Sequence, residues 1–313
     1  IEESGKMLNN FKDKRPLYGP SISADYTSVI LLSNTNEGYS YNVTGKLEKS
    51  FDFGLDLMAA YTYGVSKGVN DGTSSQAYSN WSYNENWRGS NNPEVSYTDF
   101  DQPHRIIASA SYKVAYGKNL ATSIALFYSG NSGSRYSLCY NGDLNKDGVK
   151  GNDLIYVPTN SEIDAMIIKP LTNLPADKQR IDLKAYINSE ESGLKDLQGK
   201  YAERNGLITP FEHHFDLRIM QDFYLMVGGR KHTLQVNLDV LNIGNLFNRA
   251  WGTVNSPGYS YTPIKVESIA SDGTPTVSFT KPASNVLCNQ SGYNSRWRAK
   301  LGVRYIFEFT HTT

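Results

Sequence analysis

Seven segments of the chain alternate between apolar and polar residues with a period of two, as β-strands do when their two faces meet different surroundings. In one of them Leu55, Leu57 and Tyr61 share a face, whereas Asp56 and Thr62 share the other. The seven segments span residues 39–48, 53–66, 105–114, 120–128, 215–223, 234–240 and 297–307. Their polar faces carry charged residues even at mid-strand, namely Asp56, Arg105, Lys113, Asp216, Arg218, Asp222, Asp239, Arg298 and Arg304.

This alternation fits two architectures. In a soluble sandwich the polar face meets water and the apolar face forms the core. In a membrane barrel the apolar face meets lipid and the polar face lines the lumen. The connections between the segments favour the barrel, because short and long ones strictly alternate. Residues 50–52, 116–118 and 228–231 are short links, whereas residues 67–103, 131–212 and 248–294 are long ones. Hairpins at one rim and long loops at the other are typical of outer-membrane barrels.

Segment length and aromatic placement point the same way. Several segments approach or exceed the roughly 9–11 residues that a tilted strand needs to cross a bilayer, whereas soluble strands run to about 5–6. On the apolar face, aromatic residues lie near segment ends, as in the aromatic girdles of barrels; they are Tyr61, Tyr63, Tyr128, Trp297, Tyr305 and Phe307. The alternative is that these rings fill the core of a large sandwich. We predict an all-β fold, a transmembrane antiparallel β-barrel whose charged positions face the lumen.

Composition adds exclusions rather than a function. Lys and Arg together number 31, as do Asp and Glu, so the chain lacks the basic surplus expected for binding nucleic acid. No catalytic arrangement of Ser, His and Asp, no paired carboxylates and no glycine-rich phosphate loop stands out, so we expect no enzyme. The chain begins at Ile1 with no signal segment, so we expect a removed leader or the later part of a longer protein.

Four motifs resemble known outer-membrane proteins. Residues 300–307 (KLGVRYIF) resemble the last-strand signal, carried here by Gly302, Tyr305 and Phe307, although six more residues follow it. Residues 234–248 (LQVNLDVLNIGNLFN) resemble the penultimate strand of TonB-dependent transporters. Residues 99–105 (DFDQPHR) and 200–206 (KYAERNG) are similar to Bacteroidota members of that family, the Oar-like or SusC-like receptors.

That resemblance implies a barrel of 22 strands with an internal plug and a TonB-contacting box. The chain offers about seven strands and neither a plug candidate nor a TonB box. We therefore expect residues 39–313 to be the C-terminal barrel segment, with its C-terminus periplasmic and its long loops extracellular. Residues 1–38 would end the preceding extracellular loop, with a candidate extra strand at Ser28–Asn34. The plug and the remaining strands would belong to the same polypeptide or to a second chain.

Two functions are open at this point. The first is TonB-dependent import of a bulky nutrient (a glycan, peptide or chelate) across the outer membrane. The expected partners are outer-membrane lipid, the TonB system and a surface lipoprotein, with no nucleic acid. The second function is a barrel that transports nothing and anchors surface lipoproteins or a secretion machine.

One loop carries a candidate calcium site. Oxygen ligands at Asp143, Asn145 and Asp147, the backbone carbonyl of Val149, and Asp153 follow the spacing of a calcium-binding loop. The twelfth position is Leu154, so Asp153 would have to act one residue early. The alternative is a solvated turn rich in Asn, Asp and Gly. Calcium is the one cofactor that the sequence suggests.

Three smaller expectations concern the same loops. Cys139 and Cys288 fall in different extracellular loops and would form a disulfide or remain two free thiols. His213 and His214 are neighbours on a strand, so they point to opposite faces and do not share a metal. Helix-like patterns follow Pro175 and Ser189.

Overall fold

The computed structural model describes residues 3–19, 23, 25–26, 29–256, 261–282, 289–290 and 292–307. Strands account for 47% of the structure and helices for 12%. Seven long strands form one antiparallel sheet, which we call the wall, and each strand pairs with its neighbours in chain order. They are β1 (Tyr39–Ser50), β2 (Leu55–Gly68), β3 (His104–Tyr116), β4 (Leu120–Asn131), β5 (Glu212–Val227), β6 (Arg230–Leu241) and β7 (Arg298–Phe307).

The register gives the wall one apolar and one charged face. Residues directly opposite each other across the strands form rows, and neighbouring rows point to opposite faces. One row is polar apart from an alanine and consists of Ser50, Asp56, Ser111, Ala125, Arg218, Asp239 and Lys300. The next row is apolar apart from a lysine and consists of Lys49, Leu57, Ala110, Leu126, Leu217, Val240 and Ala299. The apolar and polar residues that alternate along the sequence therefore lie on opposite faces of the sheet.

One rim of the wall carries three tight turns, at residues 51–54, 117–119 and 228–229. The last turn contains only Gly228 and Gly229, with φ angles of 59° and 79°. Such values suit a two-residue hairpin of the type that matches the twist of its strands, and glycine adopts them without strain. The links expected at 50–52 and 116–118 are shifted by one or two residues, and the link expected at 228–231 is shortened to two residues because β6 already begins at Arg230.

At the opposite rim the long connections fold together into a second body, which we call the loop domain. It comprises residues 3–18 and the described parts of 69–103, 132–211 and 253–290. Its largest sheet contains Ile167–Ile168, Pro275–Phe279, Tyr261–Ile269 and Leu138–Asn141, in that spatial order. Smaller pairs join Glu3–Met7 to Pro16–Tyr18, Arg135–Tyr136 to Leu207–Ile208, and Asn255–Ser256 to Asn289–Gln290; Ser96–Tyr97 pairs with β2.

Short helices complete the loop domain, and one follows the C-terminal end of β6. They are α1 (Ala77–Ser82), α2 (Asn160–Ala165), α3 (Ala176–Ile187) and α4 (Ile243–Phe247), with 3-10 turns at Glu190–Ser192 and Lys195–Leu197. The helix predicted after Pro175 is confirmed as α3, for which Pro175 is the N-cap. The helix predicted after Ser189 is wrong: Gly193, with φ of 67°, divides that segment into the two 3-10 turns. The candidate strand at Ser28–Asn34 is not seen at residues 29–34, and Ser28 lies outside the described residues.

The hydrophobic core of the described chain lies in the loop domain. Leu8 and Leu17 from the N-terminal segment belong to one cluster with residues of the connections 132–211 and 253–282. The rest of the core includes Leu138, Ile155, Ile163, Leu183, Tyr186, Ile264, Val277 and Phe279. Residues 3–18 are thus an integral part of the loop domain. That residues 1–38 end a preceding extracellular loop stays a prediction.

Candidate functional site

The charged face of the wall is the first candidate surface. All nine charged positions predicted for it, Asp56, Arg105, Lys113, Asp216, Arg218, Asp222, Asp239, Arg298 and Arg304, share that face by register. Arg218 pairs with Asp239, and the Lys113 Nζ lies 3.7 Å from Asp222 Oδ2. Ion pairs on this face therefore join the neighbouring strands β5 and β6 and also reach from β3 across β4 to β5.

The opposite face of the wall is apolar and uncovered by protein. Leu47, Leu301 and Val303 are 80%, 72% and 67% exposed. Exposed apolar rows of this length would be unfavourable in water. They indicate that the surroundings of this face are themselves apolar.

Tyrosine–histidine pairs mark the ends of the apolar face. The Tyr61 hydroxyl lies 2.8 Å from His104 Nδ1, and the Tyr128 hydroxyl lies 2.8 Å from His213 Nδ1. At the hairpin rim, Tyr305 and His232 form the same pair at 2.5 Å. Rings with one polar end suit the boundary between an apolar and an aqueous layer.

The three residues of the predicted last-strand signal lie on β7. Tyr305 and Phe307 are neighbours on the apolar face, with ring centroids 5.7 Å apart. Gly302 lies on the charged face opposite Asn237, and a Cβ atom there would fall 2.5 Å from Asn237 Oδ1. Glycine at this position leaves room for the asparagine side chain.

A buried arginine ties the N-terminal segment to the long loops. The Arg15 guanidinium donates Nε and Nη2 to the two carboxylate oxygens of Asp13, each at 3.0 Å, and Nη1 to Asp153 Oδ1 at 3.1 Å. It also lies over the rings of Tyr140 and Tyr201. All its charge-bearing partners are buried with it, so removal of one partner would leave an uncompensated charge in the core.

The predicted calcium loop is folded back on its own backbone. The Asp143 carboxylate accepts the backbone N–H groups of Asp147 and Gly148, at 3.1 and 3.0 Å. Asn145 Oδ1 accepts the same Asp147 N–H, and Asp147 Oδ1 accepts that of Val149. Burial, followed by the nearby Asp147 carboxylate, raises the pKa of Asp143.

Asp153, the fifth predicted ligand, is turned towards other partners. Its Oδ1 accepts the hydrogen bond from Arg15, and its Oδ2 accepts the backbone N–H groups of Leu144 and Asn145. Within the described ranges, no group of three or more His, Cys, Asp or Glu residues is arranged to hold a metal ion. The calcium site stays a prediction, and binding through Asp153 would have to compete with Arg15.

Cys139 is a fully buried free thiol, and burial raises its pKa well above the ordinary value. Cys288 lies outside the described residues, so the disulfide between the two stays a prediction. His213 pairs with Tyr128 on the apolar face, and His214 follows it on the other face of β5.

The loop domain contains a polar cavity of about 580 Å³, a volume in the usual range for small-molecule sites. Its walls come from residues 70–75, from α1 and the residues after it, and from Asp99, Arg135–Ser137 and Arg204–Asn205. Arg204 holds one wall in place: it donates Nη1 to the carbonyl of Val69 at 2.7 Å and also bonds Asn84. The cavity is therefore formed by hydrogen bonds between connections that are far apart in sequence.

Sequence reasoning missed this cavity. Its acidic residues, Asp71, Glu85 and Asp99, are scattered through residues 69–103, where no periodicity marks them. The one signal available was the motif at residues 200–206, which contains Arg204.

No helix in the described ranges is long and apolar enough to cross a membrane. A family model described as "Outer membrane beta barrel domain" matches residues 3–265, which is most of the chain. No curated protein and no solved structure matches the chain.

Proposed function

The chain belongs to the outer membrane β-barrel domain family, and we propose that it is the C-terminal part of a TonB-dependent transporter that imports a bulky nutrient into the periplasm. In this proposal the apolar face of the wall contacts outer-membrane lipid and the charged face borders the lumen. The hairpin rim faces the periplasm, and the loop domain lies outside the cell.

The observation that carries the proposal is the row of polar residues across all seven strands. Placing Arg218 or Lys300 against hydrocarbon would cost several kcal/mol, about 2–4 for Arg or Lys at the bilayer midplane. The apolar face bears almost no such cost. The charged face is therefore the one that suits a hydrated channel. Its charged residues would hold a plug through ion pairs.

The edges of the wall support a larger barrel. Within the described ranges β1 and β7 each pair with one neighbour only, so each has one unpaired edge. Unpaired backbone groups are not tolerated in hydrocarbon, and closed barrels avoid them. Additional strands and a plug, from the same polypeptide or a second chain, would complete the structure.

The test uses the full-length protein in its native outer membrane. Fluorescent oligosaccharides and peptides too large for general porins are offered to cells, and uptake is compared with and without an uncoupler. The proposal predicts uptake of at least one probe class, lost when the proton-motive force collapses and reduced when Arg218 and Asp239 are both replaced by leucine. Uptake that persists without the proton-motive force would contradict energised transport.

The second function, a non-transporting barrel that anchors surface lipoproteins or a secretion machine, is favoured by one observation. The long connections fold into a body with its own core, which could serve as a docking platform. Affinity purification from the native membrane separates the two. Stable partner subunits together with no uptake of any probe would favour the platform over the transporter.

A further inference from the structure

At the rim next to the loop domain, the apolar face of the wall ends in an apolar pocket of about 480 Å³. Phe211, which precedes β5, lines one side of it together with His213 and Phe215 of that strand. Gly244 of α4 and residues 250–253 line the other side. The segment that follows β6 therefore leans over the end of β5 and encloses a space on the face that protein otherwise leaves uncovered.

The turn that closes this pocket is held to α4 by two asparagine side chains. Asn245 Nδ2 donates to the carbonyls of Arg249 and Trp251, at 3.1 and 3.0 Å. Asn242 Nδ2, just before the helix, donates to the carbonyl of Gly252 at 2.8 Å. The pocket is therefore formed by hydrogen bonds of the folded chain and does not need a ligand to shape it.

The lining of the pocket is mainly apolar and aromatic. The ring centroids of Phe211 and His213 lie 4.8 Å apart, as do those of Phe215 and Tyr128. The Nδ1 atom of His213 is engaged with the Tyr128 hydroxyl, and Trp251 adds a further ring from the opposite side. Such a surface stabilises a hydrocarbon group by removing it from water and offers few partners to a small polar ligand.

Apolar side chains continue outside the pocket. On α4, Leu246 and Phe247 are 47% and 75% exposed, and Trp251 in the following turn is 58% exposed. Three large apolar side chains of one short segment would be unfavourable in water, and a tryptophan suits the boundary between hydrocarbon and water. Because the chain belongs to an outer-membrane family, the hydrocarbon available at this rim is that of lipid.

One charge interrupts this apolar segment. Arg249 lies between Phe247 and Trp251 in the chain and is exposed. None of the ion pairs among the described residues includes it. A guanidinium at the edge of hydrocarbon is stabilised by an anion, and it binds phosphate through two parallel hydrogen bonds. The partner that combines a phosphate with hydrocarbon chains is a membrane lipid.

We propose that this pocket binds lipid A, the phosphorylated anchor of lipopolysaccharide, with one acyl chain between Phe215 and Trp251 and a phosphate on Arg249. Lipid A is the phosphate-bearing lipid of the outer leaflet, whereas the inner leaflet holds phospholipids. The choice between them rests on the proposed function, whose topology places the loop-domain rim at the cell surface. Binding itself is measured without transport.

The test uses native mass spectrometry of the purified full-length protein in two experiments. In the first, the protein is extracted from its own outer membrane in a mild detergent, and we expect it to retain lipid A. In the second, the protein is freed of lipid and mixed with diphosphoryl lipid A or with the same lipid A after removal of both phosphates. We expect the phosphorylated form to bind at least about ten-fold more tightly, because only it forms charge-assisted hydrogen bonds.

Two variants test the pocket by shape. Gly244→Leu should fill it, because a Cβ atom at Gly244 would meet nothing closer than 3.7 Å and would lie beside Trp251. We expect diphosphoryl lipid A to bind about ten-fold more weakly. Gly45→Leu is the matched control, since Gly45 lies on the apolar face of β1 and a Cβ atom there would meet nothing within 4 Å. Trp251→Ala removes an exposed wall of the pocket and should weaken binding as well, so the test does not depend on one variant.

A third variant tests the charge. Arg249→Gln should weaken the binding of diphosphoryl lipid A by about ten-fold and leave that of the dephosphorylated form unchanged. Lys49→Gln is its control, because Lys49 also lies on the apolar face but near the hairpin rim. We expect Lys49→Gln to bind both forms as the parent does. The melting temperature of each variant shows that it remains folded.

Each alternative result overturns a defined part of the proposal. Equal binding of the two forms of lipid A would remove the phosphate from the interaction. Unchanged binding in both Gly244→Leu and Trp251→Ala, or an equal loss in Gly45→Leu, would remove the pocket. Retention of phospholipid without lipid A after extraction would refute lipid A as the occupant. Uptake that ignores the proton-motive force, together with selective binding of lipid A, would contradict the transporter and support the pocket.

Discussion

The wall and the loop domain bury their apolar residues in different ways. Of the buried hydrophobic side chains among the described residues, only Ala121 and Val240 belong to the seven wall strands, and the rest lie in the loop domain. The wall exposes its apolar side chains, whereas the loop domain packs them together. One chain thus uses two apolar environments: an external one for the wall, and its own interior for the loops.

Whether an exposed apolar side chain is unfavourable depends on what surrounds that region of the protein. In the loop domain an exposed leucine would be a missed contact. In the wall, under the proposed function, an exposed leucine such as Leu301 would be in its stabilising position, because lipid would replace the protein neighbours.

Phe279→Ala should destabilise the loop domain by about 3–5 kcal/mol, the usual cost of removing a buried phenylalanine. Phe279 is 1% exposed, and its ring centroid lies 5.8 Å from that of Tyr186. Hydrogen exchange on the protein in detergent should show lost protection in Leu138–Asn141 and Pro275–Phe279 and unchanged protection in β2–β6. Phe223→Ala, on the apolar face of β5, is the matched control and should spare the loop domain. Loss of protection throughout the wall would show that the two regions are one cooperative unit.

Leu238→Arg should destabilise the wall by about 2–4 kcal/mol, because it places a charge on the lipid-facing side near the middle of β6. Asn237→Arg, the adjacent position on the charged face, should cost much less. Reversible unfolding from lipid vesicles in urea measures both. Equal losses for the two variants would refute the assignment of the faces.

Calcium, if it binds the loop from Asp143 to Asp153, should stabilise the loop domain alone. At a calcium concentration about a hundred times Kd the gain would be about 2.7 kcal/mol. The loop-domain melting temperature with calcium or with a chelator is the measurement, and Asp147→Ala is the comparison. If calcium has the same effect on Asp147→Ala as on the parent, this loop holds no site.

Thr159→Ala should cost about 1 kcal/mol, the usual value of a helix N-cap. The Thr159 hydroxyl accepts the Glu162 backbone N–H at 3.3 Å, and the Glu162 carboxylate accepts that of Thr159 at 2.8 Å. Thr159→Ser keeps the cap and should be close to the parent. Local hydrogen exchange at α2 reports the change, which should be absent from the wall strands.

We also expect a pH dependence confined to the loop domain. Because the pKa of Glu85 is raised to about 7, the folded state holds its proton more tightly than the unfolded chain does. The stabilisation is therefore complete below the unfolded pKa of about 4.3 and is lost as the pH rises towards 7. The loop-domain melting temperature should fall across that window, and less so in Glu85→Gln. An equal slope in the variant would assign the effect to other groups.

The wall could be predicted from the sequence, because a period of two is a local property of each strand. The charged residues from Asp56 to Arg304 fall on one face simply through their spacing. The strand ends were predicted less accurately. Gly228 and Gly229, for example, form a two-residue turn, so the flanking strands extend beyond the alternating pattern.

The loop domain could be predicted only in part, because its contacts join connections that are distant in sequence. Arg15 contacts Asp153, and no local pattern marks that pair. The start of α3 at Pro175 was visible, and the capping pair Thr159 and Glu162 was a signal for α2 that went unused. The break at Gly193 depends on a positive φ that the sequence suggests only weakly.

The long reach of the N-terminal segment has a consequence for biogenesis. The backbone N–H of Asn9 donates to the carbonyl of Gly273 at 3.0 Å, so the first and last described connections meet. Each hairpin of the wall closes through near neighbours, which is fast, whereas this contact must wait for nearly the whole polypeptide. In the proposed topology we therefore expect the loop domain to form last, after the wall strands that its segments connect have entered the membrane.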